Sequence, residues 1–211
     1  MTPRTPRRGF LQTTSAMLVG LAAWPLSGDA QSSMVAGGNV DEQWLQGLTG
    51  KHRQLFDVAT LAAGRPLGRL ANFLDAYAEA YGTKDSDVNA IFGVHGGGLP
   101  LLLNDVIWSK YEFGKRYAEI DPQSGAPAVR NRWARESAAS VARLRERGVR
   151  FIACQRSIRR LSGELANGNV GAEEVRLELL GNLLPGVIPV PAMIVAVNRA
   201  HEAGLSYAYI G

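Results

Sequence analysis

Cys154 is the only cysteine among the 211 residues, and its neighbours set its chemistry. Val149-Arg150-Phe151-Ile152-Ala153-Cys154 reads as a strand, and Gln155-Arg156-Ser157-Ile158-Arg159-Arg160 opens a helix directly behind it. The free N–H groups of a helix start, with the positive end of its dipole, favour negative charge on the sulfur. Arg156, Arg159 and Arg160 add cations close by. Both effects favour thiolate over thiol, and the thiolate is the nucleophile. This reading expects Cys154 to be at least partly accessible. A second reading stays open, in which a lone cysteine is a buried, inert apolar side chain.

The other chemistry-bearing run is His95-Gly96-Gly97-Gly98. It matches an oxyanion-hole loop of lipases and esterases, but that chemistry also needs a G-x-S-x-G turn, and the chain has none. What remains is a histidine at a strand end beside a glycine turn. Either it bonds the turn backbone, or His95 and Gly96 line a ligand crevice together with Arg156. Neither G-x-G-x-x-G nor a phosphate-loop lysine motif occurs, so no cofactor is expected. His52, His95 and His201 lie far apart, and no metal site is expected from them and one cysteine. Glu173, Glu174 and Glu178 read as a solvated helix face.

These residues need a scaffold, and the pattern supplies one. Gln54–Ala59, Val88–His95, Val149–Cys154, Val187–Val190 and Ser206–Ile210 read as strands. Leu67–Tyr81, Asn131–Arg147, 173–183 and a segment from Pro191 to about Glu202 read as helices, with another starting near Leu99. Strands alternating with helices predict an α/β domain with a mostly parallel sheet and helices on both faces. Ligands of such sheets gather at the carboxyl ends of the strands, where His95 and Cys154 fall.

Composition agrees: 46% apolar and 20% charged residues exclude a disordered chain, a fibre or a coiled coil. The net charge of +4 and pI of 9.5 would suit a nucleic-acid partner. Without residues 1–30, which hold Arg4, Arg7 and Arg8 against Asp29, the charge is only +2, and no nucleic-acid partner is expected. Residues 1–30 read as an export signal: basic start, apolar stretch from Ala16 to Leu26, small residues before a cut after Ala30. Arg7-Arg8-Gly9-Phe10-Leu11 resembles the twin-arginine motif, with Pro6 and Gln12 departing from it. Periplasmic export is expected, with no membrane association after cleavage. Residues 31–50 read as a flexible lead-in.

From Lys51 to Gly211 the chain resembles the DsrE/DsrF-like family, specifically its exported single-domain members. The likeness rests on Val94-His95-Gly96, on Gly148-Val149-Arg150-Phe151-Ile152-Ala153-Cys154, and on Leu184–Pro191 followed by His201–Ile210. It implies a three-layer α/β sandwich assembled as a trimer or hexamer. It also implies that Cys154 carries sulfane sulfur as a persulfide between a donor and an acceptor protein. The alternative is a noncatalytic oligomeric binding or assembly protein of the same fold.

Overall fold

Five apolar runs become strands: β1 (His52–Thr60), β2 (Val88–Gly97), β3 (Arg150–Cys154), β4 (Val187–Val190) and β5 (Ser206–Tyr209). They form one sheet, parallel at every pairing, in the order β4-β3-β2-β1-β5. The structure is a computed structural model and describes residues 42–211. Arg7, Arg8 and the expected export signal lie outside the described residues.

Helices α1 (Arg65–Tyr81), α2 (Asp105–Lys110), α3 (Phe113–Arg116), α4 (Arg132–Arg135), α5 (Val141–Glu146), α6 (Gln155–Leu165), α7 (Ala172–Gly181) and α8 (Met193–Glu202) connect the strands. Strands β1 to β4 step across the sheet in one direction. Right-handed crossovers therefore put α1 to α7 on one face. The return from β4 to β5 runs the opposite way across the sheet, so the same rule carries α8 over the other face. The result is the α/β sandwich expected, with unequal outer layers.

The thick face packs Leu67, Leu70 and Leu74 of α1 and Ile158 and Leu161 of α6 against Phe56, Phe92, Val94 and Phe151. Trp108, Phe113 and Trp133, from the long excursion between β2 and β3, complete that cluster. On the thin face Met193, Ala196 and Ala200 of α8, with Trp44, cover Leu55, Ile91 and Ile152.

Two expectations need correction. Residues 131–147 are not one helix but α4 and α5 separated by a turn. Ser140 breaks them: its side chain accepts from the Arg143 N–H, capping a new helix. The lead-in, expected to reach residue 50, gives way to packed chain by residue 42. Trp44 is buried, Glu42 pairs with Arg199, and Arg150 donates to the Trp44 carbonyl at 3.0 Å. An indole buried in the core ties this segment to the sheet.

Candidate functional site

β3 leads into α6 on the thick face, and its neighbour β4 leads toward α8 on the thin face. In sheets of this class ligands gather at the carboxyl ends of two strands whose connections part in this way. Cys154 ends β3 opposite Val190 of β4 and is the N-cap of α6. The strand-to-helix junction is therefore where the spacing placed it.

Its exposure is not as expected. Cys154 is only 4% exposed, in a cluster with Ile152, Val190 and Met193. α8 brings Met193 into that cluster. Gly93, in register with Ile152, has no side chain, so Met193 settles onto the sheet there. A Cβ on Gly93 would come within 2.7 Å of the Met193 sulfur. Arg156 is exposed on the first turn of α6 and has no hydrogen bond or ion pair among the described residues. Residues i and i+2 of a helix do not face each other, so Arg156 and Cys154 are not an obvious pair.

A polar row crosses the same face. Val94 pairs with Ala153, so the next residues, His95 and Cys154, follow in parallel on adjacent strands. Strands alternate their side chains, and both residues belong to the α8 face with Gly93 and Ile152. Adjacent strands lie about 4.8 Å apart. On the other side of His95 is Asp57 of β1, with its Oδ1 3.0 Å from His95 Nε2. The two atoms are close, but the ring N–H is not in line for a hydrogen bond. Tyr207 of β5 donates its hydroxyl hydrogen to Asp57 Oδ2 at 2.8 Å. From β5 to β3 the order is thus Tyr207, Asp57, His95, Cys154.

Asp57 is buried, and burial pushes its carboxyl up. The hydrogen-bonding groups of His95 and Tyr207, the His95 charge and the Val58 amide outweigh that and hold it below the ordinary range. Tyr207 is pushed up to about 12, first by desolvation of its inward hydroxyl and then by the Asp57 carboxylate. The pair thus favours an ionised Asp57 facing His95, whose side chain is 31% exposed. That arrangement suits a carboxylate orienting an imidazole.

The glycine turn serves the other face. Gly96, with φ +52°, takes a left-handed conformation that suits a residue lacking Cβ. Its N–H donates to Ser157 Oγ at 3.0 Å. Gly96, Gly97 and Ser157 line an open cleft of about 350 Å³ with Arg116, Arg160 and Glu164. Both arginines pair with Glu164, so this cleft holds partly neutralised charge. His95 and Gly96, adjacent in sequence, therefore serve opposite sides of the sheet edge.

Asp57 and Tyr207 escaped the sequence reading. One signal was present: an aspartate inside the apolar run Leu55-Phe56-Asp57-Val58. Tyr207 carried none, because its partner is set by the pairing of β5 with β1. Among the described residues no three of His, Cys, Asp and Glu gather as a metal site, and no helix is long and apolar enough to cross a membrane.

No family model matches the chain, and no curated protein matches it. A solved protein of unknown function from Methanobacterium thermoautotrophicum is similar at 19% identity and a TM-score of 0.44, over 75% of this chain and 99% of that one.

Proposed function

We propose that the chain is an exported, DsrE-like carrier of sulfane sulfur in which Cys154 takes up the sulfur as a persulfide. One observation carries the reading: the lone cysteine ends a central strand at the N-terminus of α6, beside the Tyr207-Asp57-His95 row. With thiosulfate as donor, the Cys154 thiolate attacks the outer sulfur. The S–S bond breaks, sulfite leaves with the bonding pair, and Cys154 keeps the outer sulfur as a persulfide anion. A second thiolate on an acceptor removes that sulfur by the same exchange.

The burial of Cys154 adds a requirement: the cluster it shares with Ile152, Val190 and Met193 must open before a donor reaches the sulfur. Methionine is unbranched and re-packs at low cost, which suits a movable cover. The test is the intact mass of the mature protein after incubation with thiosulfate or polysulfide. The wild type should gain one sulfur atom and Cys154→Ser none. A wild type that gains nothing while folded, yet alkylates fully once denatured, would sink the carrier reading.

The export part rests on Arg7-Arg8 and the segment behind them. Replacing both with lysine should keep full-length protein in the cytoplasm; an unchanged periplasmic yield would oppose twin-arginine export.

A second reading, oligomeric assembly or binding, is favoured by a different observation. Ile194 and Val195 of α8 and Tyr207 and Tyr209 of β5 are exposed. Under this reading sedimentation shows more than one chain per particle and Cys154 stays unmodified.

A further inference from the structure

We infer that His95 is the acid–base group for Cys154, and that Asp57, fixed by Tyr207, positions it. The inference deepens the carrier reading and rests on it for its substrate. It is carried by register across four adjacent strands. Tyr207 Oη reaches Asp57 Oδ2, Asp57 Oδ1 reaches His95 Nε2, and His95 and Cys154 lie one step past the Val94–Ala153 pair. Asp57 is 8% exposed, a carboxylate held inside the fold and directed at the histidine.

The partners divide the ring. In this inference a turn of the ring brings the Nε2 proton, 3.0 Å from the Asp57 carboxylate, into line with it and leaves the Nδ1 lone pair as base. The Cys154 S–H gives its proton to that lone pair as the sulfur attacks a sulfane donor. The donor's S–S bond breaks, and the departing thiolate or sulfite takes the electron pair. The imidazolium returns its proton to the leaving group or to water. No net oxidation occurs, and Asp57 holds the ring and balances its transient positive charge without becoming protonated itself.

Burial strengthens the case for a local base. A thiol 4% exposed, in a cluster with Met193, Val190 and Ile152, cannot give its proton directly to bulk water, whereas His95 is partly solvent-exposed. The groups around His95 are few. β1 supplies Asp57 and β5 Tyr207, with the His201 ring 6.1 Å beyond it. β3 supplies Cys154, and α8 turns Met193, Ala196 and Ala200 toward the sheet. From the thick side Ser157, Arg116, Arg160 and Glu164 approach through the cleft at Gly96 and Gly97.

The experiment uses the mature protein and two reagents, iodoacetamide and thiosulfate, across a range of pH. In His95→Ala both reactions at Cys154 should slow at neutral pH, the sulfur uptake by about 100-fold, the lower end for a lost acid–base group. Added imidazole should restore part of both rates, which it would not do for a merely structural histidine. Asp57→Asn should slow both reactions less than His95→Ala and change their dependence on pH. Unchanged rates in His95→Ala, or slowed rates that imidazole does not restore, overturn the inference. The two reagents separate the claims. Alkylation that depends on His95 without sulfur uptake refutes the carrier reading and keeps the dyad. Sulfur uptake indifferent to His95 does the reverse. A folded wild type inert to both reagents at every pH overturns both.

Discussion

The two faces of the sheet are built from one set of strands and used differently. The thick face buries aromatic and aliphatic side chains from seven helices and the loops between them, and Trp108 and Phe113 are fully covered. Among the described residues the thin face is covered by α8 and the segment carrying Trp44, leaves Ile194 78% exposed, and carries the Tyr207-Asp57-His95 row at its carboxyl edge. Most apolar packing thus lies on the thick layer and the polar row on the thin one. Buried polar groups occur on both, Asp57 on the thin side and Asn131 on the thick one, and each is hydrogen-bonded.

The largest expected effect lies far from the site and tests that division. Asn131 is 3% exposed. Its Nδ2 lies 3.1, 3.0 and 2.7 Å from the carbonyls of Pro100, Leu101 and Leu103, so two hydrogens are shared among three acceptors. Its Oδ1 accepts from the Trp133 N–H at 3.0 Å. Asn131→Ala strips partners from buried backbone groups at 1–3 kcal/mol each, so unfolding should become easier by about 3 kcal/mol or more. Denaturant titration measures it. At temperatures where the variant remains folded, Cys154 should label as in the wild type. A change in labelling there would show that the two faces are coupled.

Met193→Ala should cost less and do the opposite at the site. Truncating a buried methionine costs about 2 kcal/mol at the lower end of the usual range, and Met193→Ala should approach that figure. With Met193 as the cover over Cys154 that the carrier reading requires, alkylation in the folded state should speed up. Unchanged labelling despite lost stability would mean that Met193 is packing and not a cover.

What the sequence disclosed follows the same line. The thick layer was legible because apolar residues at helical spacing and uninterrupted strand runs announce burial on both faces of a parallel sheet. The α4–α5 break was missed, because a continuous amphipathic pattern masked the cap at Ser140. Cys154 at a strand-to-helix junction was readable from local order alone. Its cover was not, since Met193 meets Gly93 only after β4 crosses back to β5. The polar row was hidden for the same reason: residues 57, 95 and 207 share a face only once strand order and register exist.

The smallest expected effect sharpens the view of the thin face. Tyr207→Phe removes one hydrogen bond to a buried carboxylate from a side chain that is itself 42% exposed, and stability should fall by about 1 kcal/mol. Its signature is in the pH dependence. Tyr207 is held up to about 12, above the ordinary tyrosine value near 10. Its contribution is therefore complete below about pH 10 and disappears as pH rises through 12. Asp57 has the opposite sign: held below its ordinary value near 4, it contributes above that pH and loses the contribution as pH falls through the folded value. Tyr207→Phe should flatten the alkaline loss and shrink the acid one, because the carboxylate loses a donor. Ultraviolet difference spectra should show one fewer tyrosine ionising near pH 12, and thermal melts at acid, neutral and alkaline pH give the stability curve. A variant whose stability parallels the wild type at all three would show that the Tyr207 hydroxyl is a bystander and that Asp57 is held by His95 alone.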